Sequence, residues 1–188
     1  PSPSPRPANA VSGQIVVTAS SVPETVGTTP AAATVVTREQ IDRTEARDVA
    51  EALGEVAGLT VSRTGSQGKV TSILTRGGNS THTLVLWNGI EINNPYFSGY
   101  DWGRFSTAGV ERIEVVRGPF SALYGSDAVT GVINVLTGGA SPMRAEVEGG
   151  GNGLLNGSLS GGFQSGAFSG NASVEHRQDD GFATNDDF

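Results

Sequence analysis

The 188-residue sequence predicts an α+β fold, a small mixed sheet with short helices, followed by three antiparallel strands of the kind that build a transmembrane β-barrel. Three observations carry this. Val110, Ile113, Val115 and Val116 form a β-branched run that Arg117-Gly118-Pro119 stops, and Val132 to Leu136 forms a second that Gly138-Gly139 stops. Thr37 and Gln40 have capping-box spacing ahead of Ile41, and Val49, Leu53 and Val56 recur at four- and three-residue steps, as helices require. After Gly139 the period becomes two: Leu155, Gly157, Leu159, Gly161 and Phe163 alternate with Asn156, Ser158, Ser160, Gly162 and Gln164. Phe168, Gly170, Ala172 and Val174 alternate with Ser169, Asn171, Ser173 and Glu175 in the same way. A soluble sandwich also alternates, but its core needs more bulk on one face than these runs supply. The pattern favours a barrel with a wet interior.

Taken in order, residues 1–12 alternate proline with small polar residues and read as a flexible tail. Residues 13–20 are a short β-prone island around Ile15, Val16, Val17, Thr18 and Ala19. The α+β domain occupies 21–139. It opens with a strand at Thr34-Val35-Val36 and a helix from Thr37 that breaks near Arg43-Thr44. A second helical stretch carries Val49 to Val56, with Gly58 as its stop. A strand at Leu59-Thr60-Val61 and a polar, glycine-containing loop over 63–68 come next. Two strands are expected over 70–76 and 83–92, then a loop over 93–106 rich in aromatic residues. Loops of that length often carry function. The strands around Ile113 and Ile133 complete the domain. Residues 140–188 supply the barrel strands. Ala145, Val147 and Gly149 set against Glu146 and Glu148 begin the first, and Ser165-Gly166 makes the turn between the other two.

Composition excludes several functions. A formal net charge of −7 disfavours nucleic acid as a partner. The absence of cysteine rules out disulfides and thiolate metal sites within this sequence. No apolar run approaches the ~20 residues of a membrane-spanning helix. His82 and His176 lack ligand-spaced partners, so no transition-metal site is expected. Asp179, Asp180, Asp186 and Asp187 offer the oxygen ligands calcium wants, but not the spacing of a defined calcium loop, and a solvated acidic loop is the preferred reading. Ser121 and Ser126 have no convergent histidine and acid, and the glycine-rich stretches lack a phosphate-loop lysine. The expectation is a protein that is not an enzyme and holds no cofactor.

Several phrases stand in a familiar order: Val35-Val36-Thr37-Arg38, Leu84-Val85-Leu86-Trp87-Asn88-Gly89-Ile90, Glu111-Arg112-Ile113-Glu114, Arg117-Gly118-Pro119 and Tyr124-Gly125-Ser126-Asp127-Ala128. Together they resemble the TonB-dependent outer-membrane receptors, and most closely the cobalamin-receptor-like subgroup, with Asn88 where the family often has Asp. The resemblance implies a plug inside the lumen of a bacterial outer-membrane barrel, surrounded by outer-membrane lipid, with its N-terminus in the periplasm. It implies active import of a scarce chelate or cofactor such as cobalamin or a ferric siderophore. Ile15, Val16, Val17, Thr18 and Ala19 look like the family's Ton box, which would pair with TonB of the inner-membrane energy-coupling complex by strand addition. The same residues also read as the first strand of the domain. Arg76 and Arg117 match plug arginines that latch onto glutamates of the barrel wall. The transported ligand would meet two apex loops, through Ser66 and Gln67 in the first and Asn93, Asn94, Tyr96, Phe97, Tyr100, Asp101 and Trp102 in the second. The aromatic residues of the second loop serve equally to pack the plug against the wall. That loop is bulkier than the compact apex of cobalamin receptors, which makes a ferric siderophore equally admissible.

Three strands leave two open edges that lipid cannot satisfy. A family barrel has about 22 strands, so the rest is expected from a longer chain or a second polypeptide. The alternative from another class is a plug-bearing partial barrel that serves as a structural or interaction subunit of an outer-membrane complex. A soluble periplasmic binding domain is a third reading.

Overall fold

A computed structural model describes residues 16–17, 24–25, 32–65, 68–138, 142–165 and 168–180. In chain order the elements are β1 (Val16–Val17), β2 (Glu24–Thr25), β3 (Ala32–Thr37), α1 (Arg38–Thr44), α2 (Val49–Gly54), β4 (Leu59–Arg63) and β5 (Thr71–Thr75). A single 3-10 turn (Ser80–His82) leads to β6 (Thr83–Trp87), β7 (Ile90–Glu91), β8 (Val110–Arg117), α3 (Ser121–Tyr124) and β9 (Gly131–Thr137). The last three strands are β10 (Arg144–Gly149), β11 (Leu155–Ser165) and β12 (Phe168–Gln178).

The central sheet has the order β3-β8-β9-β6-β7, antiparallel except for the parallel β6–β9 pair, and is therefore mixed. Alternation along β8 and β9 sends side chains to two faces, and both are covered. Ile113, Val115, Ile133 and Val135 pack with Val85, with Ile41 of α1, with Val49 and Leu53 of α2, and with Trp102 and Phe105. Val116 and Val132 pack with Leu84, Leu86 and Ala128 on the other face. Two polar residues share the interior with them. Glu114, fully buried, accepts from Arg112 Nε at 3.0 Å. Asn134, its cross-strand neighbour, accepts from the Gly89 N–H at 3.1 Å. Buried polar atoms are tolerated when bonded in this way.

The helix starts follow local chemistry. Thr37 and Gln40 form the expected capping box, with the Thr37 N–H donating to Gln40 Oε1 at 2.9 Å. Asp48 caps α2 by accepting from the Glu51 N–H at 2.8 Å. Two expectations are corrected. First, α2 ends at Gly54 with Glu55 as its cap. Gly58, at φ +84, instead turns the chain toward β4. Second, 83–92 is not one strand. Asn88 and Gly89 have φ of 51 and 83, the signature of a two-residue type I′ turn, so the run folds back as a β6–β7 hairpin.

The remaining strands form a separate sheet in the order β10-β11-β12 with continuous antiparallel register. Its burial is inside out. Polar Asn156 and Ser160 are buried where the first domain packs against them, and Val147, Leu159, Phe163, Phe168 and Val174 are exposed on the opposite face. The glycines of that face give the aromatic residues room. The Phe163 ring lies across Gly170, its cross-strand partner, so closely that a Cβ there would sit 2.6 Å from the ring.

Candidate functional site

The two loops expected at the apex, 63–71 and 93–104, are brought together. Asp101 accepts from the Thr71 N–H at 2.9 Å and from the Gly103 N–H at 3.0 Å. The Trp102 N–H donates to the Thr71 carbonyl at 2.9 Å. Gly103 passes so close to Lys69 that a Cβ would fall 2.1 Å from its carbonyl oxygen, which requires glycine there.

The expected ligand residues divide by environment. Tyr96 and Phe97 are 89% and 79% exposed, on a turn that Asn94 holds by accepting from both of their N–H groups at 2.9 and 3.2 Å. Asn93 is engaged with the sheet, accepting from the Val85 N–H at 2.6 Å and donating to the Thr83 carbonyl at 3.1 Å. Trp102 is buried, in line with the packing role that the sequence left open beside ligand contact. It belongs to a cluster in which Trp87 stacks on Phe105 at 4.7 Å and Tyr100 meets Trp102 edge-on at 5.1 Å. Burial removes more apolar area from water than an exposed ring would, and this holds the loop down. Burial, and then Asp101, push the Tyr100 phenol above its ordinary value, so Tyr100 stays neutral. Ser66 and Gln67 lie outside the described residues.

Both loops are anchored on the corner between α1 and α2. Arg63, at the mouth of the first loop, donates through Nη2 to both carboxylate oxygens of Asp48 at 2.9 Å. The second loop returns as Ser106 bridges to Asp48, the Val49 N–H donates to the Phe105 carbonyl at 2.8 Å, and Thr107 Oγ1 donates to the Ala46 carbonyl at 2.7 Å. Burial pushes the Asp48 carboxyl above its ordinary range. The Glu51 N–H opposes this, the Glu51 charge adds to it, and Arg63 opposes it.

Arg76 is exposed, at φ 51 after β5. Arg117 is engaged within its own domain, donating to the Ala57 carbonyl and to Thr34 Oγ1 at 2.6 Å. Both side chains lie against Gly58, within 4 Å of where its Cβ would stand.

Sequence reasoning missed a different set of charges at the seam with the last sheet. Asp42 on α1 is held by Arg38 at 2.5 Å and by Arg144 of β10 at 2.8 Å. Arg47 meets Glu148 of β10 at 3.3 Å, and the Arg47 carbonyl accepts from Arg177 Nη2 of β12 at 2.8 Å. The signal was available: the period of two places Arg144, Glu148, Asn156 and Arg177 on the polar face.

Val16–Val17 of the expected Ton box pairs with Glu24–Thr25, and Ile15, Thr18 and Ala19 lie outside the described residues. Asp179 is buried, and the Asp180 N–H donates to the Asn152 carbonyl at 2.9 Å. Asp186 and Asp187 lie outside the described residues. Among the described residues no group of three or more His, Asp or Glu is arranged to hold a metal.

The family model for the TonB-dependent Receptor Plug Domain matches residues 25–132. Among solved structures, the ferric-catecholate import receptor Fiu from E. coli K12 is 23% identical over 85% of this chain and 22% of its own, with a TM-score of 0.64. The ferripyoverdine receptor of the Pseudomonas aeruginosa outer membrane is 22% identical over 86% of this chain and 22% of its own, at 0.69. The alcaligin outer-membrane receptor FauA from Bordetella pertussis is 21% identical over 87% of this chain and 29% of its own, at 0.67. The likeness is one of fold, a mixed-sheet plug followed by the start of a barrel. The chain spans between a fifth and a third of the length of these three structures.

Proposed function

The chain belongs to the TonB-dependent receptor plug family, and on that premise we propose that it forms the plug and first three wall strands of an outer-membrane transporter importing a ferric siderophore. The inside-out burial of β10–β12 supports this above all else. A sheet that buries Asn156 and Ser160 and exposes Leu159, Phe163 and Val174 is unstable in water and suited to lipid on its apolar side. The plug covers the polar side. The remaining wall strands come from a longer chain or a second polypeptide.

In this reading the substrate waits on the apex loops, presented to Tyr96 and Phe97, and the plug blocks the lumen until it is remodelled. The outer membrane sustains no ion gradient, so energy arrives by contact. TonB adds a strand to residues 15–19 and pulls. The short β1–β2 pairing must then yield, which a two-residue ladder allows at small cost. The aromatic apex and the siderophore receptors of like fold support a ferric siderophore over cobalamin.

The test uses the whole protein that carries this chain, expressed in a host lacking its own siderophore receptors. Ferric catecholate, ferric hydroxamate and cobalamin are supplied separately as labelled probes. Uptake of one ferric probe, lost in Val17→Pro while binding at the cell surface persists, is the expected result. Uptake of cobalamin alone overturns the ligand class. Unimpaired uptake in Val17→Pro overturns the energy-coupling step.

A further inference from the structure

We infer that the α1–α2 corner couples the plug's two apex loops to the barrel wall through the Arg47–Asp48 dipeptide, which touches both. The inference rests on the reading of β10–β12 as wall and of 63–71 and 93–104 as the loops that face the ligand. It adds a route between them that neither the plug fold nor its likeness to receptors supplies.

The wall side of the junction is a single row. Glu148, Asn156 and Arg177 are register partners across β10, β11 and β12, all on the polar face. Asn156 Nδ2 donates to Glu148 Oε2 at 3.0 Å, Glu148 meets Arg47 Nε at 3.3 Å, and Arg177 Nη2 reaches the Arg47 carbonyl at 2.8 Å. The same carbonyl accepts from the Thr107 N–H at 3.3 Å, so one oxygen joins β12 to the end of the second loop. The next residue, Asp48, holds Arg63 at the start of the first loop. A rotation of peptide 47–48 therefore changes wall contacts and loop anchors together.

The row is built to let go. It is polar throughout, so separation exposes little apolar surface. Asn156 Oδ1 and Arg177 Nη1 are buried without a hydrogen-bond partner among the described residues. Polar groups left without a protein partner add nothing to hold the row together. A cavity of about 50 Å³ lined by Arg47, Thr107, Glu148, Asn156 and Arg177 leaves room for water to enter as the contacts part. If the row docks and undocks, a shift at one end reaches the other through the shared peptide.

The experiment needs no ligand, so its failure is separable from a wrong choice of substrate. Val70→Cys, exposed on the first loop, takes a nitroxide label in a whole protein cleared of any other cysteine. Spectra are recorded on the whole protein in detergent, with insertion checked by the heat-dependent gel shift of a folded barrel. Arg177→Gln should raise the population of the mobile label component about two- to tenfold, and Glu148→Gln should raise it less. In an Asp48→Asn background both increases should largely vanish, because the Asp48 carboxylate no longer ties Arg63 and the first loop to the junction. An unchanged label in both wall variants overturns the inference, and so does the same increase with and without Asp48. If Arg177→Gln fails to insert, Glu148→Gln carries both readings, since it keeps the side chain's shape.

Discussion

The β8–β9 ladder and the β11–β12 ladder are both antiparallel, yet they treat the same side chains in opposite ways. In the first, Ile113, Val115, Ile133 and Val135 are at most 1% exposed. In the second, Leu159, Phe163 and Val174 are 47–68% exposed and Asn156 and Ser160 are buried. A period of two states only that a strand has two faces. What each face meets is decided by what covers it. Helices and aromatic residues cover the plug sheet, whereas in the second sheet the plug takes the polar side and leaves the apolar side to another solvent.

The sharpest way to break this contrast is to cut each ladder where it is strongest. Ile133→Ala leaves a cavity between the sheet and its helices and should cost about 2–5 kcal/mol of plug stability, read as a lower denaturant midpoint in detergent. Phe163→Ala, on the exposed face, should leave that plug transition unmoved. A plug loss of equal size from both would mean that the second sheet packs on the same core.

Leu159→Arg separates the solvents. On a lipid-facing strand near mid-membrane an arginine costs about 2–4 kcal/mol, whereas on a water-facing strand it costs almost nothing. The measurement is the folding equilibrium of the whole protein into lipid vesicles. An unchanged equilibrium would return β10–β12 to water and sink the barrel reading.

The sequence carried β8 and β9 as apolar runs and β11 and β12 as two-faced strands, but not all of the turns. The capping box at Thr37 and Gln40 was legible because it is local. The β6–β7 hairpin was legible in Asn88-Gly89, a strong type I′ turn signal, but the apolar residues on both sides of it read as one strand. The two apex loops were legible as loops, but Trp102 could not be assigned to the core without knowing that Phe105 and Trp87 meet it. The seam partners Asp42 and Arg144, and likewise Arg47 and Arg177, lie far apart in the chain, and only the fold brings each pair together.

Gly89→Ala sharpens the comparison at lower cost. The φ of +83 penalises any side chain, and no atom lies within 4 Å of the new Cβ, so the loss is one of backbone alone, about 1 kcal/mol. It should lower the plug transition and leave insertion of the barrel strands unchanged. A defect in insertion would show that the plug templates the wall.

The smallest effect is a slope. Asp48 is nearly fully buried in the plug corner and faces Arg63 together with the carboxylate and N–H of Glu51. Burial is the leading cause of its shift and raises its pKa, so the folded chain holds this proton more tightly than the unfolded chain does. Its contribution is therefore complete below the ordinary carboxylate range and is lost as pH rises through the raised value. Asp48→Asn keeps the helix cap and removes the titration. Between about pH 3 and pH 8 the stability difference between variant and parent should move in the variant's favour as pH rises, read from paired unfolding midpoints. The opposite trend would mean that the pairing with Arg63 outweighs burial, and that the corner is held by its charge rather than in spite of it.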